Sequence, residues 1–119
     1  MGDGEPDPDA DVFAAAMQEA VDSLPPDLRA AVSNVEIVVE DEPPDDRLLG
    51  LYQGVPLTRR GSGYSGALPD KITIFRGPLE RLYGWDLERL RTETRRVTLH
   101  ELAHHFGISD ARLIELDRY

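Results

Sequence analysis

All three histidines of the chain lie in one short stretch, HELAHHFGISD, running from His100 to Asp110. If this stretch is helical, His100 and His104 are one turn apart and present their imidazoles on one face. Two nitrogen donors at that spacing suit a tetrahedral Zn²⁺, which takes Zn–N distances of about 2.0–2.1 Å. Glu101 lies roughly 100° further round the helix, beside such an ion. That is the position of a general base for a metal-activated water. Gly107 supplies a residue type suited to the left-handed conformation that ends helices. The chain can reverse there and return Asp110 as a third ligand, leaving a fourth position open, as in catalytic rather than structural zinc sites.

These residues have plainer uses as well. Asp110 could cap the next helix, since ARLIEL reads helical and Asp is a preferred N-cap. Ser109 is an equally good cap, and if it takes that role Asp110 is left for the metal. The histidines could be packed core residues and Glu101 a solvated surface group. His105 points about 100° away from His104, so it cannot share the ion. It is expected to be structural, or else to support a ligand from behind.

The pattern H-E-x-x-H-x-x-G-x-x-D resembles the zincin metallopeptidases, in the branch whose third ligand is Asp. LLGLYQGVPL at 48–57, LPDKITIF at 68–75 and RRVTLHELAHHFGISDARL further on are similar to a family of small zincin-like peptidases. The resemblance spans most of residues 11–116. It implies a minimal zincin-like domain that binds one zinc ion and hydrolyses peptide bonds, with a peptide or protein as substrate. It also implies a motif helix packed on a small sheet whose edge strand lines the cleft. An Asp ligand leaves the site less positive than three histidines would, so the bound water should be less acidic and the metal more readily lost.

Few residues follow Asp110 and the two methionines lie far upstream, so neither a second lobe walling a cleft nor a methionine turn is expected. Something else must floor the site. A second copy of the chain is one candidate, so a homodimer is among the expectations. The terminal Tyr119 is another. Residues 111–118 span about two helical turns, enough to double back beside the motif helix and lay a tyrosine ring under the imidazoles.

Composition narrows the chemistry. Cysteine is absent, so disulfides, thiolate metal sites and cysteine nucleophiles are excluded. Residues 1–46 carry fourteen carboxylates against one arginine within a chain of net charge −10. That half argues against nucleic acid, whose phosphates need a basic footprint. Arg89, Arg91, Arg95 and Arg96 gather just before the motif, where a solvated helix face is the simplest reading. No apolar run approaches the roughly 18 residues of a membrane span, and the N-terminus is acidic, so no membrane partner and a cytoplasmic location are expected.

The remaining sequence must position the motif. Residues 1–8 read as a disordered acidic tail and 9–119 as one domain. Phe13, Met17, Ala20 and Leu24 recur at helix spacing until Pro25-Pro26, after which 27–32 can add a short helix. VEIVVE (35–40), LLGLYQG (48–54) and KITIF (71–75) read as strands, with Val35, Ile37 and Val39 on one face of the first. Gly50 marks a bulge or a close backbone approach, which suits an edge strand. The glycine-rich TRRGSGYSGALPD, from Thr58 to Asp70, reads as a loop able to act as a lid. Pro78 opens a short helix ending near Gly84. Asp86 caps the long helix, with Trp85 reaching Leu90 as a hydrophobic staple. Along that helix Leu87, Leu90, Thr94 and Val97 form one apolar stripe. Leu99, Leu102, Ala103 and Phe106 form another, and the histidine face sits between them. The order predicts an α+β fold with helices on a small, mostly antiparallel or mixed sheet. Three functions fit: a zinc endopeptidase, a degenerate zincin that binds proteins, and a metal-free domain with a capped helix turn.

Overall fold

The computed structural model describes residues 8–54, 70–109 and 111–112. Seven elements follow in chain order: α1 (Pro8–Asp22), α2 (Pro26–Ala30), β1 (Val35–Glu40), β2 (Gly50–Gln53), β3 (Asp70–Phe75), α3 (Arg76–Tyr83) and α4 (Leu87–Phe106). The expected tail (residues 1–7 of it) and almost all of the expected lid loop lie outside the described residues.

The sheet has the order β1-β3-β2, so β3 is central and β2 is an edge. β1 runs parallel to β3, with Val35 opposite Asp70 and Glu40 opposite Phe75. β2 runs antiparallel to β3, with Gly50 opposite Ile74 and Tyr52 opposite Ile72. The sheet is therefore mixed. Paired on both sides, β3 buries Ile72, Thr73, Ile74 and Phe75. On the outer strand β1, Val35 and Ile37 pack on the core while Val39 is exposed, because the core ends before the strand does. β2 is shorter than its apolar run: Leu48 turns back to Asp45, and pairing begins beyond Leu49, whose carbonyl accepts from Phe75 N–H.

α4 packs against α1 and α3 and crosses β2 and β3. Phe13, Ala16 and Ala20 are the buried face of α1, and Leu24 is buried just beyond its end; the expected Met17 is only half-buried and packs against the edge of that core. Both stripes of α4 go inside: Leu90, Thr94 and Val97 early, then Leu102, Ala103 and Phe106. Leu87 is the exception and is exposed. Trp85 is also a correction. The residue is 78% exposed, and its indole N–H donates to the Leu82 carbonyl at 3.0 Å, which turns it outward rather than into a staple.

Three of the arginines of α4 have carboxylate partners. Arg89 and Arg96 flank the buried Glu93, and Arg91 bridges to Glu19 on α1. The Arg91 hydrogen bond draws the Glu19 carboxyl below its usual range. Arg89, Arg91 and Arg96 are thus matched by carboxylates within the fold. Among the described residues no helix is long and apolar enough to cross a membrane.

Asp86 does cap α4. Its carboxylate accepts from the backbone N–H groups of Glu88 at 3.1 Å and Arg89 at 3.3 Å. Asp86→Ala leaves those groups to water and is expected to cost about 1 kcal/mol. Thermal melting should register a drop of a few degrees, with the folded spectrum unchanged.

Candidate metal centre

The motif helix ends where the sequence says it should. Gly107 takes φ 72° and ψ 29°, the left-handed cap. Its N–H and that of Ile108 return to the carbonyls of His104 (3.1 Å) and Ala103 (3.0 Å), which closes the helix with paired reverse bonds. Beyond the turn, Ser109 Oγ accepts from Arg112 N–H at 3.1 Å. Ser109 therefore takes the capping role that sequence alone left open between it and Asp110. Asp110 itself, like Tyr119, lies outside the described residues.

On α4, His100, Glu101 and His104 each offer one ligand atom, and those atoms all lie within 4.8 Å of one another. The imidazole rings of His100 and His104 are 4.6 Å apart between centroids. His104 Nδ1 is 3.3 Å from Glu101 Oε1. The burial is uneven. His100 and His104 are exposed, whereas Glu101 is only 5% exposed. Neither plain reading survives at these positions, since the paired histidines are not core residues and Glu101 is not a solvated one. The donor set of two accessible imidazoles and a carboxylate, in a chain without cysteine, fits a borderline ion such as Zn²⁺.

Gly50 explains how Glu101 can be buried so near a strand. A Cβ at position 50 would lie 2.8 Å from Val97 Cγ1 and 3.1 Å from Glu101 Cγ. The bare backbone of β2 therefore lies directly against the motif glutamate. The sequence marked Gly50 as a bulge or a close approach, and the close approach is what is found.

His105 faces the other way. Its ring is buried, with Nδ1 2.7 Å from Asp70 Oδ2 and Nε2 3.2 Å from the Ala31 carbonyl. The Tyr52 hydroxyl donates to the same Asp70 oxygen at 2.7 Å. Asp70 and Tyr52 were not singled out in the sequence: an Asp before a strand reads as a turn residue, and a Tyr within one reads as packing. Their pairing with His105 is a contact between the sheet and α4 that periodicity along the chain does not reveal.

The zincin-like metallopeptidase family profile matches residues 32–119, most of the chain. The chain belongs to that family. No curated protein is significantly similar to it. Membership of the zincin-like metallopeptidases implies a metal, typically zinc, and the candidate centre on α4 is where this member of the family gathers donors for one.

Proposed function

We propose that the protein is a zinc-dependent endopeptidase with His100 and His104 as ligands, Asp110 as the third ligand and Glu101 as general base. The observation that carries this reading is a buried carboxylate, Glu101, set within 4.8 Å of two exposed imidazole donors on one helix face. Capping by Ser109 supports the role of Asp110, because the next turn then has its cap without it. A zinc ion held there supplies Lewis acidity toward water and toward a scissile carbonyl. Glu101 accepts the proton of the attacking water and delivers it to the leaving amine. Its burial beside β2 keeps competing solvent from the carboxylate and fixes its direction.

The substrate in this reading is an extended peptide. Among the described residues β2 pairs with β3 along one side, so its other side offers backbone groups for strand addition next to Glu101. Protein loaded with zinc and freed of unbound ion should hold about one zinc per chain, and His104→Ala should not. A peptide library exposed to the zinc-loaded protein should then show cleavage. Zinc without any cleavage would instead favour a protein-binding zincin, and a wild type that takes up no zinc on loading would remove the metal centre.

A further inference from the structure

The titratable cluster that the proposed chemistry does not use is Asp70, Tyr52 and His105. It lies behind the motif helix. The Asp70 and His105 side chains are each 2% exposed, so the cluster is closed to a ligand and does not touch a substrate. Its members come from three separate places: the edge strand β2, the first residue of the central strand β3, and the last turn of α4. A fourth contact reaches the Ala31 carbonyl just past α2. That carbonyl can only accept, so His105 Nε2 carries a proton.

Burying a carboxylate and an imidazole this way gives little net stability compared with a well-packed apolar pair. What such a pair does supply is direction. His105 is held from both ring nitrogens, on opposite sides, and this fixes the rotation of α4 about its own axis. Consecutive residues project about 100° apart, so fixing the His105 direction also fixes that of His104, its neighbour, and of His100 one turn back. Apolar contacts of Leu102, Ala103 and Phe106 tolerate small rotations; a ring bonded at both ends does not.

We propose that Asp70, Tyr52 and His105 form a rotational clamp that holds the His100–His104 face of α4 in its exposed orientation. Asp70 is a positioning residue, accepting from the edge strand and lying against the imidazole of the motif helix through one oxygen. The role toward metal rests on the zinc reading above. The clamping of the helix end does not.

Two variants test it. Asp70→Leu combined with His105→Phe replaces the pair by apolar groups, and is expected to keep the melting temperature close to that of wild type. His105→Gln is the milder second variant, able to bond Asp70 or Ala31 but not both. In each, zinc affinity measured by competition with a chromophoric chelator should fall about tenfold, at the lower end of what support of metal ligands is worth. Amide hydrogen exchange over residues 100–106 should quicken in each, with or without zinc. A folded variant that binds zinc as tightly as wild type, with unchanged exchange over 100–106, overturns the clamp. Should the double variant not fold, His105→Gln decides on the same two readouts. Should wild type bind no zinc, the metal reading fails, and the exchange comparison still settles the clamp.

Discussion

Glu101→Gln is expected to abolish hydrolysis while leaving zinc bound and the fold intact. General acid–base catalysis is worth about 10²–10⁴-fold, and an amide of the same shape can neither take the proton of a water nor return it. The loss should fall on kcat, since the contacts that hold the peptide are untouched. Glutamine keeps the shape and buried volume of Glu101 beside β2. The variant should therefore melt close to wild type. Loss of activity with equal zinc content and no loss of stability is the signature of a base. Loss of activity with loss of zinc would make Glu101 a ligand, and full activity would place the base elsewhere.

Some of this was legible in the sequence for identifiable reasons. The α4 cap at Asp86, the two buried stripes and the Gly107 turn are local rules acting over three to five residues, and each appears where the residue types place it. The edge position of β2 was signalled by Gly50. The failures are local rules that lost to a competing contact or to the limits of the core. Trp85 occupies the staple position, but the carbonyl of Leu82, three residues back, takes its indole N–H. Val39 alternates correctly, yet it lies where the core has ended. Strand order was out of reach. The parallel pairing of β1 with β3 places β2 outside β3 although it precedes it in the chain, and nothing in either strand's pattern requires that. The same topology brings Asp70, at the start of β3, to His105 near the end of α4. A residue whose purpose is set by a neighbour far along the chain has no periodic signature.

Gly50→Ala is the substitution for which sequence and structure give opposite signs. By backbone preference alone, alanine in place of a strand glycine should stabilise by about 0.5–1 kcal/mol. The geometry opposes this, because the new Cβ would lie 2.8 Å from Val97 Cγ1 and 3.1 Å from Glu101 Cγ. Val97 is a β-branched side chain on the buried side of α4 and has little rotamer freedom with which to yield. Overpacking of this kind costs about 1–3 kcal/mol, so the steric effect wins and the variant should melt lower. The larger effect should be on catalysis. Either β2 moves off the motif helix or the Glu101 carboxylate swings aside, and misplacement of a catalytic group by about 1 Å can cost roughly 10²-fold. Zinc affinity should change little, because neither His100 nor His104 is among the atoms nearest position 50. Adding Val97→Ala removes the closer of the two clashes and lets β2 settle back. Recovery of kcat in the double variant would show that the distance between the edge strand and Glu101 sets the rate. A Gly50→Ala protein as active as wild type would show that β2 does not position the glutamate at all.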